Sequence, residues 1–338
     1  MSGTRRNLYV AVGLAISVIL LWVLFRNIDF GDLGAALTHA NYWWLIPNIA
    51  LAAFAMHQRA YRWKYMINPI KEVRFGTLLS ATCIGFMANN VLPLRLGEFA
   101  RAYSLSFQDK GISKSASLAT IFVERMVFDL VILLAIFGLV VSGSHLPGQE
   151  SMTSGAVIAI GVASAGIIFV IVLAVRPEKS GRLIARVLPF VSAGIRTTIE
   201  NTVVRFSHGL AFIKRPKDLA MVSILTVGLW ILMWLSNWFV FHAFGFDGPP
   251  FNVPLAASFV LLVVVSISIL IPSSPGFVGV YHAGTVWTLT AYGIDKEHAL
   301  SFALVLHAAQ YIPITLMGFY YLRKSHLSLK ALEQQAGE

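Results

Sequence analysis

Charged side chains are scarce in this chain. Asp, Glu, Lys and Arg make up 12% of its 338 residues, about half the share usual in a soluble domain. Apolar residues take 57%, and the mean hydropathy is +0.73. A water-soluble globule cannot bury that much apolar surface, so composition excludes a cytosolic enzyme. Cysteine is nearly absent too. The single Cys83, inside an apolar run, excludes an intrachain disulfide and a cysteine-based metal site. No G-x-S-x-G, H-E-x-x-H, P-loop or Asp-rich metal motif occurs, so no nucleophile, metal or other cofactor is specified. Acidic residues are the rarer sign, 16 against 26 Lys and Arg. Zinc-finger spacing, RNP-like strands and long basic helices are missing, so the surplus does not indicate nucleic acid. The basic residues flank apolar spans instead, as the positive-inside rule describes.

What is present is a series of apolar spans near the 20-residue length that crosses a bilayer. Leu8–Phe25 follows Arg5 and Arg6 and lacks a small-residue cleavage site, so it reads as a retained first span with a cytoplasmic N-terminus. Tyr42–Tyr61 is the second, with an aromatic belt of Tyr42, Trp43 and Trp44 at one end and Tyr61 and Trp63 at the other. Arg59, Arg62, Lys64, Lys71 and Arg74 then read as a cytoplasmic loop. Segment 75–92 ends at Asn89-Asn90-Val91-Leu92-Pro93, and 94–107 carries Arg95, Glu98 and Arg101. These two are either two full spans or, fitting the charges better, a re-entrant pair broken at Pro93 and open to the cytoplasm.

Ala116–Val141 is the next span and Ser142–Ser154 an external loop without Lys or Arg. Gly155–Val175 returns, and 176–217 reads as a cytoplasmic amphipathic segment. Asp218–Phe244 spans outward. A second interrupted pair, 255–292, breaks at Pro272-Ser273-Ser274-Pro275-Gly276, and His298–Leu322 is the last span before a basic tail.

Residues 93–125 laid without gaps on 275–307 match Pro93 with Pro275, Gly97 with Gly279, Gly111-Ile112 with Gly293-Ile294 and Lys114 with Lys296. If each interrupted pair enters and leaves on one side, the halves run in opposite directions. The expected fold is an all-α integral membrane bundle with an inverted-topology repeat and two re-entrant helical hairpins. The first repeat is 1–142, with its hairpin at 75–108. The second is 143–322, and 323–338 is a cytoplasmic tail. Interrupted segments in matching places point to a transporter's midplane site.

The chemistry belongs at the breaks. Proline is well tolerated in a helix's first turn, so 94–107 and 276–292 are expected to be helices starting at mid-depth. Ser274 has the chemistry of an N-cap. Two helix N-termini facing one point would offer N–H donors and partial positive charge to an anion such as a lipid phosphate. Arg95, Glu98 and Arg101, three apart, share a helix face. One reading has Arg95 receiving phosphate and Glu98 orienting it or carrying a proton; the other is a structural ion-pair ladder. Arg125 and Asp129 can pair at i,i+4, while Glu124 needs its own partner, Arg95 or Arg101. This trio either serves the site or braces the hairpin. Asn89 and Asn90 line the cavity or cap the broken backbone. His282 lies about a turn past Gly279, and His307 reads as a packing residue. Trp230, Trp234 and Trp238 form a stripe read as lipid-facing.

Asn90-x-x-Pro93-x-Arg95-x-Gly97-Glu98-x-x-Arg101 resembles the signature of the lysylphosphatidylglycerol synthase transmembrane region, or flippase-like domain, family. Glu124-Arg125 with Asp129 resembles its E-R…D element, and Pro275-Gly276-Phe277-Val278-Gly279-Val280 its second break. The resemblance implies an inner-membrane flippase moving a phospholipid or polyprenyl-linked lipid, with both termini cytoplasmic. Its substrate-binding residues would come from Asn89, Asn90, Arg95, Glu98, Arg101, Glu124, Arg125, Ser274, Gly276 and His282. Many relatives carry Glu where this chain has His282. A soluble aminoacyltransferase domain has no room here, so lysyl-lipid synthesis is not expected. An intramembrane transferase acting on a lipid-linked substrate is the alternative, and the oligomeric state stays open.

Overall fold

A computed structural model describes residues 3–143, 209–337 and isolated helical positions between 161 and 207. The described residues are helical and contain no strand. Most of the expected return span 155–175 and most of the amphipathic segment 176–217 lie outside them.

Among the described residues twelve helices follow one another. α1 (Gly3–Phe25) turns by 90° into α2 (Phe30–His39), whose first turn is capped by Asp29 accepting from Gly31 N at 2.7 Å. A 3-10 turn, Tyr42–Trp44, leads into α3 (Leu45–Ile67). α4 (Phe75–Val91) and α5 (Gly97–Gln108) form the first interrupted pair. α6 (Lys114–Val123), a π-turn (Glu124–Asp129) and α7 (Leu130–Gly143) run on as one rod. α8 (Pro216–Ala243) starts with proline at its first position and Asp218 in its first turn, both suited to a helix N-terminus. α9 (Leu255–Ser268) and α10 (Val280–Ala291) form the second interrupted pair. α11 (Lys296–Lys324) is capped by Asp295 and ends in Arg323 and Lys324; α12 (Leu329–Gly337) closes the chain.

By length and composition α8 and α11, at 28 and 29 residues, can each cross a bilayer. At 1.5 Å per residue each is about 42 Å long or more, against a hydrocarbon core of about 30 Å. The α1–α2 pair qualifies as a third span if it is one bent element. The protein is an all-α membrane protein.

Helix α3 departs from expectation. It runs past Tyr61 to Ile67, so Arg59 and Arg62 lie within a helix and are buried rather than in a loop. Its buried positions (Ala52, Ala55, Met56, Arg59, Ala60, Trp63, Met66, Ile67) recur at helical spacing, and Arg59 falls on that stripe. Trp63, expected at an interface, is fully buried and donates to Thr120 Oγ1 at 2.8 Å. The α8 tryptophans depart too. Trp230 is buried, and Trp234 donates to Ser258 Oγ at 2.8 Å and stacks on Phe259. Trp230 is therefore a packing residue rather than part of a lipid-facing stripe, while Trp234 and Trp238 are half-buried.

The packing falls into two main cores. One gathers α3, α4, α5 and α6 around Met56, Trp63, Leu78 and Leu105. The other gathers α2, α8, α9, α10 and α11 around Phe241, Phe246, Phe302 and Leu306. α11 packs on both α4 and α10 and so links them.

The two breaks share one backbone geometry. Each is a single 3-10 turn, Pro93–Arg95 and Pro275–Phe277. In the first, Leu94 and Arg95 take φ of 64° and 55°; in the second, Gly276 and Phe277 take 71° and 61°. An offset of 182 carries each residue onto its counterpart, and carries N-cap Ser113 of α6 onto N-cap Asp295 of α11. Left-handed backbone costs a residue other than glycine on the order of 1–2 kcal/mol. Leu94, Arg95 and Phe277 all adopt it.

Candidate functional site

The breaks meet. The 3-10 turn before α5 packs against the one before α10, and α4 reaches the second turn as well. Between them lies a cleft of about 190 Å³ lined by Asn89, Leu94, Arg95, Leu270, Ser273 and Ser274 among others. Arg95 is the charged member of this lining. Its Nη1 donates to the carbonyl of Ile269 at 2.9 Å, and its guanidinium lies 5.4 Å from the Phe277 ring centre. Arg95 thus belongs to the first break and reaches the second.

Left-handed backbone at Leu94 and Arg95 delays regular helix to Gly97, so the expected start at Leu94 is corrected. It also takes Arg95 off the face shared by Glu98 and Arg101. The α5 N-terminus is already partly satisfied, since Gly97 N donates to Asn89 Oδ1 at 2.8 Å. Asn89 therefore does both things considered for it: it lines the cleft and caps the broken backbone. Asn90 points away and donates to Thr315 Oγ1 at 2.8 Å.

The second break is tied to α1. Ser274 N donates to Ser17 Oγ at 2.9 Å, and that hydroxyl donates to Val278 O at 2.8 Å. Ser274 lines the cleft, but its side chain makes no N-cap hydrogen bond, contrary to expectation. Gly276 is buried, and a Cβ there would run into the Tyr311 ring. His282 lies behind the break rather than in the cleft. It is buried, its Nδ1 accepts from Gly279 N at 3.4 Å, and its ring centre is 4.9 Å from that of His307.

A buried ionic network backs the first hairpin. Glu124 accepts from Arg101 at 3.0 Å and pairs with Arg62 at 2.8 Å. Asp129 pairs with Arg62 at 2.6 Å and with Arg125 at 3.3 Å. The π-turn makes this possible. Its i→i+5 bonding brings residues five apart, Glu124 and Asp129, to one side, so both carboxylates meet Arg62. Thr226 Oγ1 accepts from Arg62 at 2.9 Å, and the Arg101 guanidinium lies 4.0 Å from the Trp63 ring centre. Glu98 turns to Arg125, 3.8 Å away, and accepts from Asn89 at 3.3 Å.

The structure therefore brings Asn89, Arg95 and Ser274 to one cleft, and links Glu98, Arg125, Glu124 and Arg101 behind it. It does not place Gly276, Asn90 or His282 in the lining. Sequence reasoning missed Arg59 and Arg62. The signal was their helical spacing with Ala52, Ala55 and Met56. Among the described residues no group of three His, Cys, Asp or Glu side chains could hold a metal ion.

The chain is 24% identical over 365 residues to a protein named glycosyltransferase AglD from Haloferax volcanii, with 99% of this chain and 57% of that protein covered. The chain thus spans little more than half of that relative's length. It is 23% identical over 332 residues to a UPF0104 membrane protein from Methanothermobacter thermautotrophicus, covering 93% of this chain and 92% of that one. No solved structure matches. The family model described as the lysylphosphatidylglycerol synthase TM region matches residues 10–318, nearly the whole chain. With both helix breaks and the charged hairpin inside that match, the chain belongs to the lysylphosphatidylglycerol synthase transmembrane-region family.

Proposed function

We propose that this membrane protein is a lipid translocase, carrying an anionic phospholipid or a lipid-linked phosphate headgroup between leaflets. One observation carries the reading. Two helix breaks of the same geometry meet around a cleft in which, among the described residues, the charged side chain is an arginine. Guanidinium is the side chain best matched to phosphate, which it can hold with paired hydrogen bonds. Ser273, Ser274 and Asn89 add polar partners, and the remaining wall is apolar. A volume of about 190 Å³ is below the roughly 300–1,000 Å³ of a drug-sized pocket, which suits a phosphate and its nearest atoms. The acyl or polyprenyl tails would stay in lipid.

In this reading the halves form an inverted repeat, both hairpins are re-entrant and the breaks sit at mid-depth. The protein lies in the cytoplasmic (inner) membrane with both termini inside. The matched dihedrals and capped helices at one offset support the repeat.

The transferase alternative draws on the relative named as a glycosyltransferase. A transferase base or nucleophile must be free to react; of the three carboxylates it could use, Glu124 and Asp129 are each held by two guanidiniums, and Glu98 faces Arg125 at 3.8 Å and accepts from Asn89. That favours translocation. The test is leaflet exchange in proteoliposomes with fluorescent anionic and zwitterionic lipids, quenched from outside. Wild type should exchange anionic lipid, and Arg95→Ala should lose roughly tenfold or more of the rate while remaining folded. Equal exchange by wild type and variant, or none above protein-free vesicles, would overturn the reading.

A further inference from the structure

Arg59 stands apart in the buried ionic network. It is 6% exposed, yet among the described residues no carboxylate lies within ion-pair distance of it. Its Nε and Nη1 are buried without a hydrogen-bond partner, and Nη2 meets only the Met233 sulfur at 3.2 Å. A buried cation left in this way is costly unless something anionic completes it. Across the network, the guanidiniums of Arg59, Arg62, Arg101 and Arg125 outnumber the carboxylates of Glu98, Glu124 and Asp129 by one.

The surplus has a location. Arg59 and Arg125 both lie against Phe86, with guanidinium carbons 4.7 and 5.0 Å from its ring centre. Arg125 Nε also has no hydrogen-bond partner. The spot is not sealed, since the Arg125 and Glu98 side chains are 26% and 27% exposed. It is joined to the cleft by contacts. Asn89 lines the cleft and donates to Glu98, Glu98 faces Arg125, and Arg125 and Arg59 share Phe86.

We propose that Arg59 and Arg125, at the Phe86 ring, form a second anion-binding position that takes a phosphate group after or before it occupies the cleft at Arg95. The two positions would make a relay of guanidiniums for one headgroup. This deepens the translocase reading and rests on it for the identity of the cargo. The binding step itself requires no lipid movement.

The test is thermal unfolding of the full chain purified in detergent, because a ligand that binds the native state raises Tm by mass action. The probes are inorganic phosphate against chloride at matched ionic strength, and short-chain phosphatidylglycerol against diacylglycerol of the same chain length. Wild type should show a saturable upward shift in Tm. Arg59→Gln should weaken the apparent affinity roughly tenfold or more, while Arg59→Lys retains part of it and Arg95→Ala, which removes only the cleft position, lowers the shift without abolishing it. Without anion, Arg59→Gln should melt no lower than wild type, because an uncompensated buried cation has gone. This also shows that the variant folds. A shift with both probes means free phosphate reaches the site; a shift with the phospholipid alone means the headgroup arrives on its lipid. An Arg59→Gln shift equal to wild type, or no shift in wild type with either probe, would overturn the proposal. An Arg59-dependent shift in a protein that exchanges no lipid would keep the site and discard only the translocase reading.

Discussion

Glu124 is fully buried with two arginines upon it. Removing its charge leaves Arg62 with Asp129 alone and takes from Arg101 the carboxylate it pairs with. Breaking a buried pair from one side costs about 3–5 kcal/mol. Glu124→Gln should therefore lower detergent-solubilised stability by that order, read as a fall in Tm or denaturant midpoint. Arg95 differs, because it bonds a backbone carbonyl at the cleft edge rather than a carboxylate. Arg95→Ala should leave the Tm within a few degrees of wild type and act on transport instead. The sequence marked both residues, since charge within an apolar stretch is conspicuous. It could not show that Glu124 belongs to Arg62, because that partner comes from a different helix, 62 on α3 against 124 in the π-turn. Nor could it show a π-turn, whose i→i+5 bonding has no sequence period of its own.

At the scale of elements, the interrupted hairpins were legible from Pro93 and Pro275, because proline stops a helix whatever surrounds it. Their detail was not. Left-handed φ at Leu94, Arg95 and Phe277 is imposed by tertiary packing against local preference, so the helices begin later than their prolines suggest. Close approach of α4 and α5 depends on two glycines. A Cβ on Gly97 would overlap the Gly85 carbonyl and the Asn89 side chain. Gly97→Ala should destabilise the hairpin by about 1–3 kcal/mol, checked by Tm, and should also disturb the Asn89 cap. Outside the spans, Lys71 pairs with Asp109 and joins the loop after α3 to the end of α5. The Lys71 hydrogen bond holds the Asp109 carboxyl below its ordinary value, helped by Gly111 N. A depressed carboxyl stabilises the fold at neutral pH, and that contribution is lost as pH falls from about 4 downward. Asp109→Asn should thus lower Tm slightly at pH 7, with the gap to wild type closing as the pH drops below about 4. Exposure keeps the effect small.

At the scale of the molecule, composition alone indicated a polytopic helical membrane protein, because so much apolar surface has no other home. The offset of 182 that aligns the two prolines also aligns the backbone dihedrals and helix caps that follow them. What sequence could not convey is that the breaks touch, with Arg95 lodged against Phe277. Such contacts link residues far apart in the chain and leave no local trace.

The central claim is that headgroups pass through the cleft between the breaks, and the single buried Cys83 makes a direct test accessible. In a Cys83→Ser background, Ser273→Cys places one thiol in the cleft lining. Leaflet exchange is then followed in proteoliposomes before and after a bulky methanethiosulfonate reagent, and again after reductant. The account predicts that modification stops exchange and that reduction restores it. Exchange that continues unchanged with the cleft filled, the modification verified by mass, would contradict it.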